Sequence, residues 1–375
     1  MQISAALPPG QSENKMKVAI IHYWLVAMRG GEKVVSALLD LFPEADIFTH
    51  VYDQQAFSNN ISQHNVKTTF IQKLPFAARL YKSYFPLMPL ALEQLDLRGY
   101  DLVISSESGP AKGVLTSPDC LHICYCHTPM RYLWDMYHDY KKGAGPLKRL
   151  AMVPLIHYLR IWDVTSAHRV DVFVANSNHV AKRIEKIYRR EAAVVYPPVA
   201  VEDFYMADKQ EDFYLMVGQL VRYKRADLAV RAFNRIGRRL VVIGEGEQLG
   251  MLKKMAGPNI SLMGRQPFSV IQEHYAKCRA LIFPGEEDFG IVPVEAMASG
   301  RPVIAYGRGG VLETALPGET GLFFKKQTEE SLNAAIEEFE KTEGLFAPEA
   351  CRKQAEKFGG KRFKNAFMEI VKSSL

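Results

Sequence analysis

The sequence predicts an α/β fold built from two doubly wound domains of similar size. Short apolar runs that suit buried parallel strands alternate with helical segments along most of the 375 residues. The alternation is interrupted by a polar, irregular stretch at 199–211 and then starts again. A chain of this length can form two full cores, so we expect two domains that face each other across a cleft.

The first domain is predicted to span 16–199. It opens with a strand at 18–23 (VAIIHY), a turn at Gly30 and Gly31, and a helix at 32–41. This order is typical of nucleotide-binding domains, but two glycines also fit a simple tight connection. Further strands are predicted at 46–49, 66–70, 102–105, 121–126, 172–175 and 193–196. Residues 1–15 are polar, with no continuous apolar core typical of a signal peptide, and are predicted to be a disordered tail.

The second domain is predicted to span 200–355. Its strands and helices alternate in the same way, and the chain from 328 to 374 is mainly helical. We expect the last helix, about 356–375, to pack back on the first domain. The predicted strands are 213–217, 240–243, 260–263, 280–283, 303–305 and 321–324. The predicted helices before the C-terminal segment are 225–236, 248–255, 270–277 and 291–299.

Composition excludes several classes of protein. Hydrophobic residues make up 48% and charged residues 23%, which is ordinary for a globular protein. The net charge of +6 is dispersed, which argues against a nucleic-acid partner and fits an anionic small molecule or membrane surface. The sequence has no apolar run of transmembrane length. Five cysteines, an odd number, favour a reducing compartment.

The most informative stretch is 283–310. Here a strand leads through three acids, Glu286, Glu287 and Asp288, to a helix that begins after Gly290. The free N–H groups of Gly290, Ile291 and Val292 would favour a phosphate. Glu295, one turn into the helix, would repel that phosphate, so it suits neutral hydroxyls such as those of a ribose. The simpler alternative is a carboxylate stabilised by the helix dipole.

Four motifs resemble those of the family 4 retaining glycosyltransferases, which have the GT-B architecture of two Rossmann-like domains. The most specific is 287–295 (EDFGIVPVE), which continues into 296–305 (AMASGRPVIA). The others are 217–224 (VGQLVRYK), 30–32 (GGE) and 125–134 (YCHTPMRYLW). The last of these and 223–228 (YKRADL) look most like mannosyltransferases of bacterial surface-polysaccharide assembly.

The resemblance implies a reaction and its partners. A nucleoside-diphosphate sugar, with GDP-mannose favoured, would bind the second domain and react with retention of configuration. The acceptor, a saccharide or polyprenyl-linked saccharide, would bind the first domain. No metal would be obligatory. The protein would be cytoplasmic and peripheral on the membrane, and it would serve surface-polysaccharide or glycolipid assembly.

The resemblance also assigns roles to individual residues. Lys224 would stabilise the leaving diphosphate, Glu287 would hold sugar hydroxyls, and His127 would contact the donor sugar as the third catalytic residue. The remaining residues assigned to nucleotide-sugar binding are Gly31, Arg222, Arg265, Phe289, Gly290, Ile291, Val292 and Glu295. One position departs from the family: Gln219 stands where an arginine is usual, and Arg222 is the residue that would compensate.

Each of these residues also has a plainer interpretation. Lys224 would be a solvated lysine at the start of a helix, Glu287 a solvated loop acid and Arg265 part of an ordinary loop. His127 would be a structural histidine. Although His122, Cys124, Cys126 and His127 invite a zinc site, strand geometry separates them too far to converge on one ion, so we predict no metal site.

Other functions also remain open. The first alternative is an epimerase or hydrolase of sugar nucleotides on the same fold. The second is a non-catalytic nucleotide-sugar-binding subunit. Two segments that mix basic and large apolar residues, 79–92 and 148–162, fit either membrane contact or core-packing helices.

Overall fold

The computed structural model describes residues 16–57, 60–143 and 145–375. The described residues form two parallel sheets, one in each half of the chain. The predicted α/β class with two doubly wound domains is therefore confirmed. The tail predicted at 1–15 lies outside the described residues.

The first sheet has seven strands in the order β3-β2-β1-β4-β5-β6-β7. Its inner strands are almost wholly buried because helices cover both faces, which explains their continuous apolar sequences. The strands are β1 (Val18–His22), β2 (Asp46–Thr49), β3 (Val66–Thr68), β4 (Leu102–Glu107), β5 (Leu121–Cys126), β6 (Val172–Ala175) and β7 (Ala192–Val194). The helices are α1 (Gly30–Leu41), α2 (Ala77–Leu80), α3 (Met88–Glu93), α4 (Tyr137–Lys142), α5 (Pro146–Ala167) and α6 (Asn178–Tyr188).

The second sheet has six strands in the order β10-β9-β8-β11-β12-β13. The strands are β8 (Tyr214–Val217), β9 (Leu240–Ile243), β10 (Ile260–Gly264), β11 (Leu281–Phe283), β12 (Val303–Tyr306) and β13 (Gly321–Phe324). The helices are α7 (Ala226–Ile236), α8 (Leu249–Met255), α9 (Phe268–Lys277), α10 (Ile291–Ala298), α11 (Val311–Thr314), α12 (Glu329–Thr342), α13 (Pro348–Glu356) and α14 (Gly360–Ser374). In both sheets the strands are parallel, so each sheet has one edge where all the carboxyl ends meet.

The chain passes between the domains twice. It leaves the first domain after β7, and it returns after α13, where Val199 N–H donates to the carbonyl of Phe358. Helix α14 then packs on the first domain, with Phe363, Phe367 and Val371 in the same hydrophobic cluster as Tyr125 of β5. The core of the first domain is therefore completed by the C-terminal helix.

Candidate active site

A cleft of about 580 Å³ lies between the two domains, at the carboxyl ends of both sheets. Residues at the ends of strands line it from both sides, including His127 directly after β5 and Gln219 two residues after β8. This is where open α/β sheets bind ligands, since the loops there are free of the sheet's hydrogen bonding. Its lining also includes the predicted residues Gly31, Lys224, Glu287, Phe289, Gly290, Ile291, Val292 and Glu295.

Lys224 and Glu287 form an ion pair in this cleft. Lys224 Nζ lies 2.8 Å from Glu287 Oε1, and the two side chains are only 15% and 19% exposed. Burial alone would lower the pKa of Lys224, but the neighbouring Glu287 raises it above the ordinary lysine value. The lysine therefore stays positively charged in a largely dry site, where a fixed charge stabilises a developing negative charge most strongly.

Helix α10 points its N-terminus at the same cleft. Gly290 precedes it with φ 89°, a left-handed conformation that side chains rarely adopt. This turn sets Ile291 and Val292 at the cleft wall, where their N–H groups lie in the first turn. Phe289 anchors the loop, since it is 3% exposed and its ring packs against Tyr196 and Phe358. The cleft thus has a helix N-terminus suited to an anion.

Glu295 lies one turn into α10 and has two partners. Its Oε2 accepts a hydrogen bond of 3.0 Å from the hydroxyl of buried Tyr275, and its Oε1 lies 3.3 Å from Lys33 Nζ of the first domain. The carboxylate is thus held at the cleft wall, with Lys33 facing it from the other domain.

The first domain contributes His127 and Gly31 on the opposite wall. The Nε2 atom of His127 lies 2.8 Å from Ser106 Oγ, and its backbone N–H donates to the carbonyl of Glu107. Burial lowers the pKa of His127 to about 3, with a further contribution from His22, so the imidazole is neutral at physiological pH. A Cβ at Gly31 would lie 2.8 Å from the Tyr23 hydroxyl and 3.7 Å from His127 Nε2, so only glycine fits there without displacement.

Two residues predicted to bind the nucleotide sugar lie away from the cleft lining. Arg222 is exposed, and Arg265 has a side chain 82% exposed that lies 3.9 Å from Glu245. Gln219, by contrast, lines the cleft. The structure thus does not bring Arg222 to the position where it would replace the arginine missing at 219.

Sequence reasoning missed a group of residues that join the domains beside the cleft. Asp288 accepts from Arg183 at 2.5 Å and from Thr128 at 3.3 Å, and its backbone carbonyl accepts from Ser177 at 2.6 Å. Arg131 lies 3.7 Å from the same carboxylate and stacks over Tyr223. Thr128, Arg131, Tyr223 and Asp288 all lie within the predicted motifs, but as ligand-site residues and not as contacts between domains. Arg183 and Ser177 lie outside every motif and carried no signal.

A second contact joins the two domains outside the cleft lining. The carboxylate of Glu313, on α11, accepts from the backbone N–H groups of Asn178 and His179 at 2.8 and 2.9 Å. These N–H groups are the first of α6, and a helix N-terminus attracts a carboxylate. The second domain therefore caps a helix of the first.

Comparison with known proteins agrees with this geometry. Residues 28–203 match the sequence model of Glycosyltransferase Family 4, and residues 202–358 match that of Glycosyl transferases group 1. An uncharacterised glycosyltransferase of Methanocaldococcus jannaschii is 30% identical over 194 residues, which cover 49% of this chain and 55% of that protein. The α-1,3/1,6-mannosyltransferase alg2 of Schizosaccharomyces pombe is 25% identical, over 82% of this chain and 70% of its own.

Solved structures share the fold. The Anabaena protein HepE, crystallised with UDP and glucose, superposes with a TM-score of 0.71 at 15% identity, covering 96% of this chain and all of that one. The two sequence models together span residues 28–358, so the family expected from the four motifs is confirmed. The chain belongs to the GT-B glycosyltransferases, with a family 4 first domain and a group 1 second domain.

Proposed function

We propose that this protein is a retaining glycosyltransferase that moves a hexose, with mannose favoured, from a nucleoside-diphosphate sugar to a saccharide or lipid-linked saccharide. One observation carries the proposal: Lys224, Glu287 and the N-terminus of α10 converge on a cleft whose other wall holds His127. The mannosyltransferase named among the relatives supports the choice of sugar.

The charges in the cleft suit departure of a diphosphate. Lys224 and the N–H groups at the start of α10 would stabilise the negative charge that develops as the glycosidic bond breaks. Glu287 would accept hydrogen bonds from sugar hydroxyls, and Glu295 from those of the ribose. The leaving diphosphate would in turn assist the acceptor hydroxyl as it attacks the same face, which retains the configuration.

We propose that transfer needs no metal ion. The three cleft carboxylates are already paired with cations: Glu287 with Lys224, Glu295 with Lys33 and Asp288 with Arg183. A divalent ion would have to displace one of these partners. Transfer is therefore expected to persist in EDTA, and activity restored only by added magnesium or manganese would contradict this.

A pair of neighbouring acids allows a sharp test of the site. Glu287→Gln should lower the rate of transfer about 100-fold or more, because it removes a charged acceptor from the reaction centre. Glu286→Gln is the matched control, since Glu286 directly precedes Glu287 but is not one of the residues that line the cleft. Its rate should stay within about twofold, whereas equal rates for both variants would contradict the assigned role.

The donor and the class of reaction can be identified in the same preparation. Thermal unfolding with GDP, UDP and their sugars will reveal the base, because a bound ligand stabilises the fold by mass action. We expect GDP-mannose to give the largest shift, and a larger shift with UDP-sugars would overturn the choice of donor. Rapid consumption of donor without acceptor would favour a hydrolase or epimerase, and binding without turnover would favour a non-catalytic subunit.

We also infer that the first domain docks on an anionic membrane to reach a lipid-linked acceptor. Helix α5 buries Ile156, Leu159 and Trp162 but exposes Leu147 and Leu150 by 83% and 73%. The segment 70–90 similarly exposes Phe76, and exposed lysines and arginines accompany both. One face of α5 therefore packs in the core, which fits the interpretation as a core-packing helix. The other face is exposed and suits contact with a membrane surface. No helix in the described ranges is long and apolar enough to cross a membrane.

Vesicle binding tests the docking surface. Full-length protein should sediment with vesicles containing phosphatidylglycerol but much less with phosphatidylcholine alone. Leu147→Ser with Leu150→Ser should weaken this binding on the order of tenfold, since each leucine buries apolar area in the bilayer. Leu345→Ser is the matched control, because Leu345 is 71% exposed but lies on the second domain. Equal losses for the two variants would contradict the inference.

A further inference from the structure

A chain of buried polar side chains runs from α1 to His127. Its members are Glu32 on α1, His22 at the end of β1 and Ser106 on β4, which are 2%, 1% and 0% exposed. The Nδ1 atom of His22 lies 3.1 Å from Ser106 Oγ, and Ser106 Oγ lies 2.8 Å from His127 Nε2. The Nε2 atom of His22 lies 3.7 Å from Glu32 Oε1. None of the roles assigned above to the family's residues involves Glu32, His22 or Ser106.

Ser106 can point its hydroxyl proton at only one of its two imidazole neighbours. Because a hydroxyl carries one proton, it donates to one ring nitrogen and accepts from the other. The orientation of the whole chain is therefore set at one end. If His22 receives the Ser106 proton, then His127 must donate from Nε2 to Ser106.

Glu32 sets the orientation at the His22 end. His22 Nε2 has no hydrogen-bond partner in the described part of the chain. Because a carboxylate only accepts hydrogen bonds, the nearby Glu32 favours a proton on this nitrogen. Neutral His22 protonated at Nε2 then has a bare Nδ1, which accepts the Ser106 proton. In consequence, His127 carries its proton on Nε2 and leaves a lone pair on Nδ1.

We propose that Glu32, His22 and Ser106 are positioning residues that fix His127 in its Nε2–H tautomer, so that Nδ1 serves as a hydrogen-bond acceptor for a sugar hydroxyl. His127 lines the cleft, and among the described residues its Nδ1 has no hydrogen-bond partner. Such outer partners commonly fix the tautomer of a functional histidine. The identification of the ligand group as a sugar hydroxyl rests on the proposed function, but the tautomer does not.

The same strand offers a matched control. Ser105 is equally buried, and its Oγ lies 2.9 Å from Nε2 of buried His122, on the opposite face of β4. Ser105→Ala therefore removes a hydroxyl–imidazole contact of the same kind without touching His127. A general effect of losing a buried hydroxyl would appear equally in both variants.

Nitrogen NMR of the full-length protein tests the proposal directly. With histidine labelled by ¹⁵N, the ring nitrogens report the tautomer, and His127→Gln identifies the signals of His127 among the ten histidines. We expect the Nε2–H form in the native protein, a shift toward mixed tautomers in Ser106→Ala, and no shift in Ser105→Ala. A native Nδ1–H form, or a tautomer unchanged by Ser106→Ala, would overturn the proposal.

Two further measurements keep the test decisive. If Ser106→Ala does not fold, Glu32→Gln replaces the pure acceptor with a nearly isosteric amide and should also shift the tautomer. In transfer assays Ser106→Ala should raise the donor KM about three- to tenfold, while Ser105→Ala stays within about twofold. If the native protein transfers no sugar at all, the proposed function fails, while the NMR result still decides the tautomer.

Discussion

His50 and His122 are buried in the first domain as neutral imidazoles. His50 lies 3.1 Å from the carbonyl of Pro110 and 3.2 Å from Thr69 Oγ1, while His122 lies between Ser105 and the carbonyl of Arg169. Burial lowers the pKa of each to about 4. In the folded protein, neither imidazole binds a proton until the pH is well below the pKa of a histidine in the unfolded chain.

Acid should therefore destabilise the protein through these histidines. Unfolded histidine has a pKa of about 6.5, so between about pH 6.5 and 4 the unfolded state binds protons that the folded state does not. The free energy of unfolding should fall with decreasing pH by about 1.4 kcal/mol per pH unit from each of these two residues and by a similar amount from His127, whose pKa is lowered to about 3. Urea unfolding at pH 5, 6 and 7 measures this slope.

Two variants isolate the contribution of the histidines from that of paired carboxylates. His50→Gln retains an N–H for Pro110 and should reduce the slope by about 1.4 kcal/mol per pH unit. His157→Gln, at an exposed position of α5, should leave it unchanged. Identical slopes for the native protein and His50→Gln would contradict the prediction.

Arg222 shows that the sequence does not predict the direction in which a single side chain points. Spacing along the motif 217–224 identified the cations, but not their directions. Residues 222–224 form a single 3-10 turn, in which each residue is rotated by about 120° from the last. Tyr223 and Lys224 consequently line the cleft while Arg222 faces solvent.

Among the elements, strands were the easiest to predict. Buried parallel strands are continuous apolar runs, so the predicted 121–126, 172–175 and 240–243 agree with β5, β6 and β9. Helix starts were less well defined: α9 begins at Phe268 rather than 270, and the carbonyl of Pro267 accepts its first hydrogen bonds from Val270 and Ile271. The short α4 and α11 were not predicted, since four to six residues carry little periodicity. Helices α2 and α3 overlap the segment 79–92, for which core-packing helices were one of two interpretations.

Helix α14 should be essential for the first domain. Phe363 and Phe367 are 2% and 0% exposed, and their rings lie 5.6 and 6.4 Å from that of Tyr125. Replacing either by alanine should cost about 3–5 kcal/mol, through lost burial and the cavity left behind. Chemical denaturation measures the loss, and Glu369→Ala, at an exposed position of the same helix, is the control.

Hydrogen exchange locates this loss. Protection should fall in β1, β4 and β5 of the first sheet, because their cluster includes the two rings. Protection that falls in β8, β11 and β12 instead would contradict the assignment of α14 to the first domain.

For the whole molecule, the contacts between domains could not be inferred from sequence. Lys33 and Glu295 lie 262 positions apart, and Glu313 and Asn178 lie 135 apart. A loop acid such as Asp288 is equally compatible with solvent, a ligand or a partner domain. Only the relative position of the two sheets, which no local pattern encodes, decides between these.

Removing the cap on α6 should loosen the closed arrangement. Glu313→Ala deletes an acceptor of charge-assisted hydrogen bonds worth about 1.5–3 kcal/mol each in general. Fewer molecules should keep the two domains joined as in this structure, so donor affinity should weaken on the order of tenfold. Small-angle scattering should also give a larger radius of gyration. Glu319→Ala, at an exposed position just after α11, should change neither quantity. Unchanged affinity in Glu313→Ala would contradict a role for this contact in closure.

The return of α14 to the first domain also determines the order in which the protein can mature during synthesis. Domains usually fold as they emerge from the ribosome, the N-terminal one first. Here the residues that cover Tyr125 are translated after the entire second domain. Part of one face of the first sheet therefore stays exposed until α14 has been synthesised. The second domain can fold before the first is complete, and a premature stop codon just before 360 would damage the half of the enzyme that was made earliest.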